Sequence, residues 1–153
     1  MAGCVFVACT TAEGLLASSS MKTVLKVIAP SSNPIKIKEW GVFFDGVSVT
    51  AEPVNVAMCI YSTDETSWTT AAHVPTQRSG PTIVSKCVIQ ALASSSSHGS
   101  SGVLAGLQVH PQSGYQEKFA FGDEIVIAGA KAVGIQCTAA TTVNCKAQIV
   151  FEE

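Results

Sequence analysis

Apolar and polar residues alternate with a period of two along much of this chain. The clearest case is the segment VNCKAQIVFEE, where every second residue from Val143 to Phe151 is apolar and the residues between them are mostly polar. Successive side chains of a β-strand point to opposite faces of the sheet, so this pattern predicts a strand with one buried face.

Similar segments recur along the chain, and no long helical periodicity competes with them. Strands are predicted over residues 21–29, 35–45, 54–61, 82–92, 103–110, 115–121, 124–128 and 133–137. Glycines such as Gly122 and Gly134 punctuate these segments at the spacing of successive short strands. Eight or nine strands of this length predict an all-β, antiparallel two-sheet β-sandwich, of which the jelly roll is one form.

One predicted strand changes its buried face part of the way along. In residues 35–45 the apolar side chains occupy odd positions up to Ile37 and even positions from Trp40 onwards. A change of phase indicates a β-bulge, or a strand that bends from one sheet to the other. The indole of Trp40 is expected in the core.

The pattern divides the chain into an N-terminal arm, residues 1–20, and a single β-sandwich domain, residues 21–153. The arm, MAGCVFVACTTAEGLLASSS, has a short apolar run and ends in serines. Residues 62–80 form a long connection, with a short helix predicted near residues 65–72. The serine-rich run at 94–102 is predicted to be a loop.

The composition is poor in charge. Charged residues make up 13% of the chain, against about 25% in ordinary globular proteins. Small monomers keep a charged surface to remain apart from their neighbours, so we expect other subunits to cover much of this exterior. The alternative, that β-proteins rich in serine and threonine are simply charge-poor, stays open.

Charge and hydropathy also bear on partners and location. The net charge is −2 and the lysines are scattered, so nucleic acid is not an expected partner. No segment approaches the roughly 20 apolar residues of a membrane span. The first apolar run lacks a preceding positive charge and is followed by Glu13, so we expect no secretory signal and synthesis in a host cytoplasm.

Residues that could carry chemistry do not form a recognisable motif. The six cysteines contain no CxxC pair, and His73, His98 and His110 lie on different segments. We therefore predict no catalytic residue, no metal site, no cofactor and no enzymatic activity. Reduced, buried thiols are expected, and a bridge between Cys137 and Cys145 is left open.

Two stretches resemble a known family. They are VLKVIAPSSNPIKIKEWGVFFDGVSVTAEPVNV (Val24 to Val56) and HPQSGYQEKFAFGDEIVIAGAKAVGIQCTAATTVNCKAQIVFEE (His110 to Glu153). Together they resemble the capsid decoration, or cement, proteins of tailed bacteriophages. The resemblance implies a β-sandwich, a homotrimer, the major capsid protein as partner, and a place on the outer surface of the virion head. It brings no catalytic residue with it.

These observations predict a structural virion protein that stabilises a phage head by bridging capsid subunits as an oligomer. The predicted contact residues are Val5, Phe6, Val7, Leu15, Leu16 and Trp68, of which all but the last lie in the arm. If the arm binds the shell, a chain without residues 1–20 should still fold. Packing of the arm on its own domain is the alternative.

A second hypothesis is a module that binds carbohydrate or a host surface. The long segments 62–80 and 94–102 would then make the contacts, with Trp68 and His98 as candidate anchors.

Overall fold

The structure is a computed structural model that describes residues 3–17, 19–47, 52–62, 74–80, 82–91 and 102–153. Within these ranges the chain forms twelve β-strands and no helix. The strands are β1 (Val5–Cys9), β2 (Gly14–Leu16), β3 (Met21–Ile28), β4 (Ile35–Phe44), β5 (Val54–Ser62), β6 (Thr76–Ser79), β7 (Val88–Ala91), β8 (Gly102–Val109), β9 (Gly114–Lys118), β10 (Ile125–Ile127), β11 (Lys131–Thr138) and β12 (Val143–Glu152).

The strands build two antiparallel sheets, which confirms the predicted β-sandwich. The seven-stranded sheet has the order β10-β4-β12-β1-β6, with β9 beside β4 and β2 beside β12. The five-stranded sheet has the order β7-β3-β11-β5-β8. Residues from both sheets contribute to one buried apolar cluster, so the core lies between the sheets.

The predicted alternation places the core side chains correctly. All the odd-numbered residues of β12 from Val143 to Phe151 are buried, as the sequence pattern indicated. Trp40 is also buried, and its indole Nε1 donates a hydrogen bond to Glu117 Oε2 at 2.9 Å. This bond satisfies the one polar group of a side chain that otherwise contributes apolar area.

The change of phase in β4 is a β-bulge. Val150 of β12 lies opposite Glu39, and the next residue, Phe151, lies opposite Ile37. The extra residue on β4 is therefore Lys38, and Ile37 and Trp40 both point into the core.

The first residues of the chain differ from the predicted arm. Strand β1 lies between β12 and β6, and Phe6 is opposite both Phe151 and Gln77. Strand β2 pairs with the beginning of β12. In the structure these segments are therefore strands of the domain's own sheet, rather than an arm extended towards a neighbouring chain.

Several other segments also differ from the sequence pattern. The connection predicted over residues 62–80 contains β6, and the helix predicted near residues 65–72 lies outside the described residues. The strand predicted over residues 82–92 is shorter, because only Val88–Ala91 pairs with β3. Gly134 is not a turn residue but lies inside β11, where a Cβ atom would approach Leu25 O to 2.7 Å.

Candidate protein-interaction surfaces

The predicted contact residues have different environments. Phe6 and Leu16 are buried in the protein's own core, so their side chains cannot contact a neighbour while the strands stay paired. Val5 and Val7 are half-buried on the opposite face of β1, and Leu15 is exposed. Trp68 lies outside the described residues. The proposed contact role is thus corrected for Phe6 and Leu16, because the core encloses both side chains.

Other large apolar side chains are exposed, and some of them lie at the edges of the seven-stranded sheet. The most exposed of those described are Phe121 (97%), Val47 (92%), Val84 (81%) and Val74 (78%). Val74 lies two residues before β6, at one edge of the seven-stranded sheet, whereas Phe121 lies between β9 and β10, at the other edge. Contiguous exposed apolar patches mark interaction sites more often than isolated exposed residues do, so the surroundings of each of these side chains matter.

A groove opens between the residues that precede β6 in one sheet and the residues in and before β7 of the other. It has a volume of about 250 Å³ and is lined by Val74 and Pro75 before β6, and by Val84, Cys87, Val88 and Ile89 around β7, with Ser85 at its side. We call this feature the β6–β7 groove. Its walls are almost entirely apolar, so an apolar side chain is the ligand that fits its chemistry.

The chain around the groove is held by the carboxylate of Glu153. Its Oε2 accepts hydrogen bonds from Ser85 Oγ at 2.7 Å and from the backbone N–H of Lys86 at 3.0 Å. Burial, together with the negative charge of Glu153, raises the pKa of the Cys87 thiol to about 12. The thiol therefore stays protonated and acts as a small apolar wall. The groove is thus formed before any ligand arrives.

At the opposite edge, residues 120–124 form a tight turn that presents Phe121, and we call it the Phe121 turn. The N–H of Asp123 donates to Ala120 O at 3.0 Å, and Gly122 adopts a φ of 96°, which favours glycine. Glu124 Oε2 accepts from the N–H of Gly122 at 2.8 Å. The ring of Phe121 projects from this turn into solvent. In the sequence, this turn could have been found from the aromatic residue directly before Gly122-Asp123. The strand predicted over residues 115–121 instead included Phe121 as its last residue.

An ion pair anchors the Phe121 turn to the sheet. Lys38, the bulge residue of β4, lies 2.8 Å from Glu124 Oε1 and 2.6 Å from Glu152 Oε2. The hydrogen bond from Lys38 is the main cause that lowers the pKa of Glu124 to about 2. The ammonium group also lies 6.0 Å from the centroid of the Phe121 ring. These contacts restrict the backbone of the turn that carries the exposed ring.

Strand β8 forms a third exposed feature. It is the outermost strand of the five-stranded sheet, has eight residues, and contains neither a charged residue nor a proline. Val103 and Leu104 are exposed, and a Cβ atom at Gly106 would meet no neighbour within 4 Å. Natural proteins usually protect such edges with charges, prolines, short strands or β-bulges. Of these β8 has only a bulge at Leu104, the extra residue between Val103 opposite Cys59 and Ala105 opposite Met58. The uncharged edge on either side of the bulge is suited to pairing with another strand.

Two polar clusters on the outer faces of the sheets were not apparent in the sequence. On the seven-stranded sheet the buried carboxylate of Glu39 accepts hydrogen bonds from Gln116 and Gln148, and Arg78 lies 3.5 Å from it. Because amide donors and a guanidinium surround the carboxylate, the cluster ties β4, β9, β12 and β6 together across the sheet.

On the five-stranded sheet the second cluster surrounds a buried lysine. Lys26 Nζ lies 5.2 Å from the centroid of the Tyr61 ring, and the Tyr61 hydroxyl is 3.2 Å from Thr23 Oγ1. Cys59 Sγ donates a hydrogen bond to Gln136 Oε1 at 3.4 Å. The hydrogen-bond partner of this thiol is therefore a side-chain amide and not a basic group. In the sequence Lys26 is one of several scattered lysines, and local composition does not show which of them is enclosed.

The cysteines are arranged as packing residues. All six are thiols, and only Cys9 is exposed. Burial raises the pKa of Cys137 well above its ordinary value and that of Cys145 to about 12. A nucleophilic or metal-binding cysteine requires the opposite shift. Among the described residues, no group of three or more His, Cys, Asp or Glu side chains could hold a metal ion.

The part of the chain that the structure describes contains no helical segment with the length and hydropathy of a membrane span. Comparisons of the chain with protein-family models, with curated proteins and with solved structures found no match. The function is therefore inferred from the surfaces described above and from the resemblance of the two sequence stretches.

Proposed function

We propose that this chain is a structural virion protein, which decorates the outer surface of a phage head as a homo-oligomer and bridges capsid subunits. The observation that carries the proposal is the pair of exposed apolar features at opposite edges of the sandwich, the β6–β7 groove and Phe121. Both lie on a chain in which only 13% of the residues are charged.

The physical support comes from the cost of leaving such surface in water. Burying one large apolar side chain is worth roughly 1.5–3 kcal/mol, so the exposed residues at these edges favour contact with protein. A rigid sandwich suits the role, because repeated weak contacts over a symmetric shell give high avidity without a deep binding site.

The identity of the partner as a capsid is supported by the resemblance of residues 24–56 and 110–153 to decoration proteins, which also implies the trimer. In this proposal the sheet edges, rather than residues 1–20, make the contacts with neighbouring chains and with the capsid. We assign β8 to the capsid, because its eight uncharged residues can accept an extended segment of a capsid subunit as an added strand.

Sedimentation of the purified chain, alone and with capsid shells from the genome that encodes it, tests the proposal. We expect an oligomer in solution that pellets with the shells. Leu104→Lys on β8 should weaken pelleting, because a charge on the edge opposes strand addition, whereas Val47→Lys, at a more exposed residue outside β8, should not. A monomer that ignores the shells, or a genome without a capsid protein, would reject the proposal.

The carbohydrate or host-surface hypothesis relied on Trp68 and His98, which both lie outside the described residues. No described contact favours it. A glycan-binding screen with Trp68→Ala as the control would detect that function, and specific binding lost in the variant would favour it over capsid decoration.

A further inference from the structure

Two complementary features lie too far apart to meet within one chain. The β6–β7 groove is at one edge of the seven-stranded sheet, and the Phe121 turn is at the other, with β4, β12 and β1 between them. The groove is open and apolar, and the Phe121 ring is 97% exposed. If copies associate head to tail, the ring at one edge and the groove at the other are both removed from water.

We propose that the β6–β7 groove of one copy receives the Phe121 ring of a second copy. This inference rests on the self-association in the proposed function and names the surfaces that produce it. A contact between two different patches is heterologous, so each copy uses one groove and one ring, and the assembly closes when the rotation between copies completes a circle.

The chemistry of the two features matches. A phenylalanine side chain contributes about 150–250 Å² of apolar area to a contact, and the groove of about 250 Å³ has Val74, Val84 and Val88 as exposed walls. Val126, exposed on β10 next to the Phe121 turn, adds apolar area around the ring. An aromatic side chain inserted in an apolar pocket is the usual centre of a protein interface.

Both features are organised before they meet. Glu153 fixes the segment at Ser85 and Lys86 beside the groove, with contacts of 2.7 and 3.0 Å. Glu124 and Lys38 fix the Phe121 turn, with contacts of 2.8 Å between their charged groups and between Glu124 and the N–H of Gly122. Little conformational freedom is lost on association, so more of the burial energy appears as affinity.

The charges around the two features favour a head-to-tail contact over a two-fold one. Beside the ring lie the exposed Asp123 and the ion group of Lys38, Glu124 and Glu152, which together carry a net negative charge. Beside the groove the exposed Lys86 accompanies the carboxylate of Glu153. A two-fold contact between two Phe121 turns would oppose two negative groups, whereas the head-to-tail contact avoids this repulsion and brings Lys86 towards the negative turn.

Two variants that each remove one half of the contact test the inference. Phe121→Ser removes the ring, and Val84→Glu places a charge in the groove. Both residues are exposed, so the fold should persist, which circular dichroism checks. Each variant alone should sediment as a monomer, with the self-dissociation constant raised roughly 10- to 100-fold for Phe121→Ser. Val47→Ser and Leu15→Glu are the matched controls and should leave the oligomer intact.

The decisive measurement is an equimolar mixture of the two variants. In the mixture the intact ring of Val84→Glu can enter the intact groove of Phe121→Ser, so dimers should form although neither variant associates alone. Oligomers that survive either substitution, or a mixture that stays monomeric, would overturn the head-to-tail contact and leave the capsid role standing. A wild-type chain that neither self-associates nor binds shells would instead reject the proposed function itself.

Discussion

Replacement of Phe6 by alanine is the sharpest test of whether residues 3–9 belong to the folded domain. Phe6 is buried in β1, and its ring stacks on Phe151 of β12 with a centroid separation of 5.7 Å. If β1 is part of the sheet at equilibrium, Phe6→Ala removes core volume. If residues 3–9 were instead a detachable arm, the substitution would have little effect on stability.

The expected loss in the free energy of unfolding of Phe6→Ala follows from the burial of the ring. Truncation of a buried phenylalanine to alanine costs about 3–5 kcal/mol, because the lost transfer energy is combined with the cavity left behind. Phe6 lies at the upper part of this range, since its side chain is almost completely buried and has a stacked aromatic partner. The free energy of unfolding of a domain is about 5–15 kcal/mol, so the variant should lose a large part of its stability.

Urea denaturation followed by circular dichroism measures the loss. Leu15→Ala is the control, since Leu15 is 56% exposed in the neighbouring strand β2 and should change the free energy of unfolding by less than about 1 kcal/mol. The same reasoning predicts that a chain without residues 1–20 is unfolded or aggregates, because β12 loses its neighbours β1 and β2. Equal, small effects of both substitutions, or a stable truncated domain, would refute it.

Three further outcomes are expected. The pKa of Glu124 is lowered from its ordinary value of 4.5 to about 2. The stability that its carboxylate contributes is therefore present above pH 4.5 and is lost as the pH falls through about 2. Urea midpoints measured between about pH 5 and pH 2 should fall less steeply in Glu124→Gln than in the wild type. Cys9 should react quickly with a thiol reagent at pH 8 in the native protein, whereas the protonated, buried Cys87 should react only after unfolding, and equal rates would contradict the assigned burial. Gly134→Ala should destabilise the fold by about 1–3 kcal/mol, because a Cβ atom there would lie 2.7 Å from a backbone oxygen, while Gly106→Ala, in open space, should be nearly neutral in thermal unfolding.

Local periodicity was enough to predict the fold class and much of the core. The alternation from Val143 to Phe151 and the change of phase between Ile37 and Trp40 both correspond to buried faces and a bulge in the structure. Alternation is a property of a few consecutive residues, and one buried face of a strand requires it whatever strand lies alongside.

The partners of the strands and the exposed edges were decided by the tertiary structure. The short apolar run at Val5–Cys9 fits a free arm and a central strand equally well, and only its pairing with β12, at the far end of the chain, makes it a central strand. Phe121 and Val84 have ordinary local sequences, and their exposure depends on which strands end beside them. Sheet pairing joins residues distant in the sequence, so a local pattern does not show which strand lies at an edge or which apolar side chains between the strands face water.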